Sequence, residues 1–178
     1  MKLARWILKR IGWKFEMNIQ PMDKCVICVA PHTSNWDFIM GELATRSAGY
    51  KSGFLMKDTW FFFPMGYLLK AIGGIPVKQH AHTNVTEQVA DEYRRRKRLW
   101  VAVTPEGTRS PNPNWHKGFL YIAREAEVPI VLAYIDYADK VACIDRIFTP
   151  SDDVDADIAS IKEYYAPRHG KHPEKFAL

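Results

Sequence analysis

Apolar positions along this chain fall into short dense runs separated by amphipathic stretches. Cys25–Ala30 is a compact apolar, β-branched run and predicts a buried strand. Leu99–Val103 and Val128–Ile135 have the same character, and Gly53–Met56, Ile75–Val77 and Val141–Phe148 are weaker strand candidates. Helical spacing appears from about Asn35 to Ser47, Thr59 to Ala71, Asn84 to Lys97, Lys117 to Glu127 and Asp152 to Tyr165. Asn84 and Glu87 are spaced as a capping box, and Gly73-Gly74 closes the apolar segment before it. Lys171–Leu178 reads as a polar tail. Strands alternating with helices predict a single α/β domain with a mostly parallel central sheet flanked by helices.

Residues 1–17 predict a basic amphipathic N-terminal helix, and 18–178 form the remaining domain. Leu3, Trp6, Ile7, Leu8 and Ile11 share a broad face, with Lys2, Arg5 and Lys9 opposite and Arg10 and Lys14 near its edge. Lys9, Arg10 and Lys14 interrupt the apolar run, so it does not resemble a secretory signal. A basic face with Trp6 and Trp13 suits the interface of an anionic membrane. The alternative is a first helix packed on its own domain with a solvated basic face.

Composition narrows the partners. The chain has 178 residues, 47% of them hydrophobic, which supports a folded core. A formal net charge of +5 favours anionic partners. Cys25, Cys28 and Cys143 are odd in number and give no disulfide framework, so a reducing, cytoplasmic setting is the simpler expectation. No apolar segment is long enough to span a bilayer.

Two motifs carry chemistry. Pro31-His32-Thr33-Ser34-Asn35-Trp36-Asp37 places a histidine and a carboxylate where a strand ends and a helix begins, the edge at which open α/β sheets bind ligands. With His32 in the loop, Asp37 on the first turn can accept a hydrogen bond from one ring nitrogen and leave the other to take a proton. Ser34 or Asn35 can cap the helix. The alternative is an ordinary loop histidine beside a capped helix. Pro105-Glu106-Gly107-Thr108-Arg109-Ser110 follows a second strand; its tight turn offers backbone N–H groups, and Arg109 can grip a phosphate bidentately. The alternative there is a turn with a Glu–Arg surface pair. One sheet edge can hold both motifs.

In this order and spacing, the His32-x4-Asp37 and Pro-Glu-Gly-Thr-Arg-Ser motifs resemble the glycerolipid acyltransferase family, whose type member acylates 1-acylglycerol 3-phosphate. Lys57 to Lys78, with Trp60, Phe61, Pro64, Gly66 and Gly73-Gly74, is similar to the family's second block. Val128-Pro129-Ile130-Val131 resembles its fourth. The resemblance covers about Val26 to Ala133. It implies an O-acyltransferase that moves a fatty acyl group from acyl-CoA or acyl carrier protein, as co-substrate, to the hydroxyl of a lysophospholipid or glycerol-phosphate-type acceptor in phospholipid biosynthesis. His32 would be the general base and Asp37 its orienting carboxylate. Lys57, Lys78, Glu106, Gly107, Thr108 and Arg109 would bind substrate. Neither metal nor cofactor is implied.

The chain departs from the family at Lys78-Gln79, where an Asp-Arg pair is usual, and at Leu132, where a proline is usual. A lysine there supplies a point charge without bidentate geometry. The membrane-spanning helix of many relatives is missing, so peripheral attachment to the cytoplasmic face of the membrane, through its lipids and anionic surface, is expected. The run Trp60-Phe61-Phe62-Phe63 with Met65, Tyr67, Leu68 and Leu69 fits either core burial or lipid contact. Cys25 and Cys28, three apart on a strand, face opposite sides and make no metal or redox site. His80-x-His82 lacks accompanying ligands. Arg94-Arg95-Arg96-Lys97-Arg98 closes a helix and reads as a solvated face. A non-catalytic protein binding anionic lipids is the alternative function, and nucleic acid is not an expected partner.

Overall fold

Period-two strands buried on both faces need helices above and below them, and the chain supplies both layers. The computed structural model describes residues 1–78 and 84–178. Its elements are α1 (Lys2–Arg10), β1 (Lys14–Met17), β2 (Lys24–Val29), α2 (Trp36–Ala48), β3 (Ser52–Lys57), α3 (Met65–Ile72), β4 (Gly74–Val77), α4 (Val85–Arg95), β5 (Leu99–Val103), α5 (Gly118–Glu125), β6 (Ile130–Asp136), β7 (Val141–Phe148) and α6 (Val154–Tyr165). The strands form one sheet in the order β1-β7-β6-β2-β5-β3-β4. Every pairing is parallel except β6 with β7. The α/β expectation stands.

Alternation along β2 explains the two half-cores. Val26 and Cys28 join one cluster with Val89 and Tyr93 of α4, Leu120 of α5 and Ile161 of α6. Cys25 and Ile27 point the other way, toward Trp100, Val131 and Ile144. The two cysteines therefore lie on opposite faces, as strand geometry requires. Both are buried and free, and burial pushes the Cys28 thiol up to about 12. On that second face α1 and α2 cover the sheet through Leu8, Met40 and Ile135.

Three expectations need correction. The N-terminal helix does not reach residue 17. It stops at Arg10, Gly12 turns the chain with φ +76°, and Lys14–Met17 becomes the edge strand beside β7. Phe15 and Met17 alternate inward against the core while Lys14 and Glu16 face water, and β7 supplies the edge with which this alternating segment pairs. The apolar arc of α1 is also divided, with Ala4 and Leu8 buried and Leu3, Trp6 and Ile11 exposed. The Thr59–Ala71 helix is broken into a single tight turn at Asp58–Trp60 and α3. Pro64 disfavours helix at the residue before it, and Gly66 packs so closely that a Cβ there would stand 2.5 Å from the Phe61 carbonyl oxygen. Finally, Lys171–Leu178 is not a free tail. Trp115 Nε1–H donates to the Ala177 carbonyl at 3.0 Å, and Phe176 packs on the Trp115 ring. Asn84 caps α4 through its side chain as expected, whereas His80 and His82 lie outside the described residues.

Candidate active site

The carboxyl ends of the parallel strands β2, β5, β3 and β4 share one edge, and the two motifs follow β2 and β5. His32 stands in the loop after β2, and Asp37 is in the first turn of α2. Their side chains meet with His32 Nδ1 3.2 Å from Asp37 Oδ2. The same oxygen accepts the backbone N–H groups of Thr33 and Ser34 at 2.8 Å each. The other oxygen, Oδ1, accepts the Tyr137 hydroxyl at 2.7 Å. Burial alone would raise the Asp37 carboxyl. The hydrogen bonds from His32, Tyr137, Ser34 and Thr33 outweigh it and hold the group below the usual carboxylate range. An ionised acceptor at Oδ2 assigns the ring proton to Nδ1, which leaves Nε2 of a partly exposed imidazole to take a substrate proton.

The second motif builds the floor of this loop. Gly107 closes the turn with φ +67° and donates to the Thr104 carbonyl at 3.1 Å. A Cβ at that position would stand 2.3 Å from the His116 ring, so glycine is required on both counts. Glu106 is fully buried, and its Oε1 accepts the His32 backbone N–H at 2.6 Å. Its contact is with the motif beneath the site, not with the open site where substrate was expected. Its Oε2 is buried without a partner. Burial pushes the carboxyl up to about 7; the His32 N–H opposes this and the nearby Asp37 charge adds to it. Thr108 Oγ1 accepts the Ser110 N–H within the turn. Arg109 donates from Nη1 to the Asn35 side-chain oxygen, which ties the two motifs together at the surface.

A cavity of about 580 Å³ opens beside His32, Asn35 and Asp37 and runs between α2 and the sheet toward β3 and α3. Its walls are mainly apolar, including Ile27, Phe38, Leu55, Met56 and Leu69, with Glu42, Thr45 and Ser52 as a polar patch. Of the residues expected to bind substrate, Glu106, Gly107, Thr108 and Arg109 gather around the dyad. Lys57 and Lys78 sit exposed at the ends of β3 and β4, two and three strands from β2. The Lys78 backbone is held by Gln88 through both its N–H and its carbonyl. Sequence reasoning missed Tyr137, which reaches Asp37 from 100 residues away. No local pattern marks it.

The chain is similar to known proteins in two ways. The family model described as Acyltransferase matches residues 10–136, well over half of the chain and both motifs. The chain belongs to the Acyltransferase family. A solved structure, the 1-acyl-sn-glycerophosphate (LPA) acyltransferase PlsC from Thermotoga maritima, is similar with a TM-score of 0.60 over 96% of this chain and 79% of that one, at 18% identity. That likeness is one of fold. No curated protein matches the sequence.

In this fold the His32–Asp37 pair stands at the edge where α/β sheets bind ligands. Among the described residues no helix is long and apolar enough to cross a membrane, and no group of side chains is arranged to hold a metal ion. The basic run that ends α4 is engaged within the protein: Arg94 pairs with Asp91 and Glu125, Arg96 with Glu92, and Arg98 with Asp23.

Proposed function

We propose that this acyltransferase moves a fatty acyl group from a thioester, acyl-CoA or acyl carrier protein, to the hydroxyl of a lysophospholipid or glycerol-phosphate-type acceptor in phospholipid biosynthesis. One observation carries the reading: the His32–Asp37 pair stands at the rim of an apolar cavity of about 580 Å³. An alkyl chain seated there gains the free energy of apolar burial, and its carbonyl end lies beside the histidine. His32 Nε2 takes the proton of the acceptor hydroxyl as its oxygen attacks the thioester carbonyl. Asp37 stabilises the imidazolium that forms. Collapse of the tetrahedral intermediate breaks the C–S bond, and the leaving thiolate takes the proton back from His32. No covalent acyl-enzyme is required, so positioning supplies much of the rate and the base about 10²–10⁴-fold.

The same reading places the protein at the cytoplasmic face of a membrane as a peripheral enzyme. Leu3, Trp6 and Ile11 project from α1 beside Lys2, Lys9 and Arg10, and Trp60, Phe62, Phe63, Tyr67 and Leu68 project near α3. Such apolar groups flanked by cations suit an anionic lipid surface. The deciding experiment is thiol release from acyl-CoA and acyl carrier protein over a panel of lysolipids, with His32→Ala as control. Acceptor-dependent release that disappears in the control supports the reading and names the acceptor. Release that persists in the control overturns the mechanism.

A further inference from the structure

The segment after α6 is built into the site. The His169 carbonyl accepts the Tyr137 N–H at 2.9 Å, and the His169 N–H reaches Oδ2 of buried Asp136 at 3.2 Å. Gly170 is buried so tightly on the first motif that a Cβ there would stand 2.7 Å from Thr33 Oγ1 and 3.2 Å from Pro31 Cβ. The His172 N–H donates to Thr33 Oγ1 at 3.2 Å. This strap therefore touches Thr33 and Tyr137, both of which hydrogen-bond Asp37.

Between these anchors stands Lys171, whose ammonium lies 5.1 Å from the centroid of the exposed Trp36 ring. Trp36 is the chain neighbour of Asp37. From the second motif, Arg109 meets Asn35, the residue before Trp36. Two cations from distant parts of the chain thus converge on consecutive residues at the start of α2, where Asn35 lines the cavity with His32. Among the described residues no carboxylate forms an ion pair with either cation. Packing on the indole restricts an otherwise flexible lysine. Lys78 is less well placed: β4 is three strands from β2, roughly 14 Å at the usual strand spacing.

We propose that Lys171, carried on the C-terminal strap, is the second cation of a phosphate subsite and acts with Arg109 on a phosphate-bearing substrate. This rests on the acyl-transfer reading above. It gives the chain a second cation closer to the His32–Asp37 pair than Lys78 at the far edge of the sheet. The phosphate belongs either to the acceptor headgroup or to coenzyme A.

Calorimetric titration of the full chain tests it without turnover. The probes are sn-glycerol 3-phosphate against glycerol, and coenzyme A against 3′-dephospho-coenzyme A, with wild type, Lys171→Ala and Lys171→Arg. Lys171→Ala is expected to weaken one phosphorylated probe about five- to tenfold. Lys171→Arg restores most of it, and the dephosphorylated counterpart is unaffected. The probe that loses affinity identifies the source of the phosphate. Equal binding of both probes by wild type and Lys171→Ala overturns the proposal, as does wild type binding neither probe above its counterpart. An equal loss for probe and counterpart, with a lowered Tm, marks a merely structural strap and also overturns it. Inactive wild type in the thiol-release assay would sink the acyl-transfer reading, while the titration would still decide whether Lys171 binds phosphate.

Discussion

The Tyr137 hydroxyl donates to Oδ1 of Asp37 at 2.7 Å, while Asp37 Oδ2 faces His32. Trp13 meets the Tyr137 ring edge-on, with centroids 5.0 Å apart. The turn after α1 is thereby packed against the residue that hydrogen-bonds the carboxylate beside His32. On the proposed acyl-transfer reading, Tyr137 touches no reacting atom and is a positioning residue acting through Asp37.

Tyr137→Phe keeps the ring on Trp13 and removes one hydrogen bond from Asp37. A hydrogen bond to a charged group is worth about 1.5–3 kcal/mol, so kcat should fall by roughly tenfold or more with KM little changed. The Asp37 carboxyl should titrate higher, which moves the acid limb of the kcat–pH profile upward. A profile superimposable on wild type would show that the hydroxyl is incidental.

Asp37 also links stability to acid. Its folded pKa is lowered, so its contribution is present above the ordinary carboxyl range and is lost as pH falls through the folded value. Chemical denaturation as a function of pH should place this loss at higher pH in Tyr137→Phe than in wild type.

Glu106 acts in the opposite sense. Its folded pKa is raised to about 7, so stability from the protonated form is full below the ordinary pKa of 4.5 and declines as pH rises toward 7. Glu106→Gln, whose amide oxygen can still accept the His32 N–H, should flatten that decline by on the order of 2 kcal/mol. Parallel stability–pH curves for the two proteins would refute the buried charge.

Gly107→Ala meets two obstacles, a positive φ and the His116 ring. A loss of about 1–2 kcal/mol is expected from thermal melts. Adding His116→Ala should recover the steric part and leave the backbone part. Full recovery in the double variant would mean that the turn tolerates a side chain.

Leu3→Glu with Trp6→Glu alters only exposed positions of α1. Tm should move little, because exposed substitutions usually stay within about 0.5 kcal/mol each. Co-sedimentation with anionic vesicles should drop. Unchanged sedimentation would assign α1 to packing alone.

The local parts of this protein were written along the chain. Strands β2, β5 and β6 follow from their β-branched runs, and the His32–Asp37 approach follows from a loop residue and a first-turn residue five apart. Chain neighbours and backbone geometry suffice for these. Folding decided the rest. Glu106 lies under His32 because β5 pairs with β2, which turns its carboxylate inward to a backbone N–H 74 residues away. The helix expected at residues 1–17 gives way to β1 because β7 offers a free edge for pairing. Tyr137 and Lys171 reach the site only through β6 and the strap after α6. Their roles depend on long-range contacts made by backbone hydrogen bonds and close packing, which leave no periodicity in the local sequence.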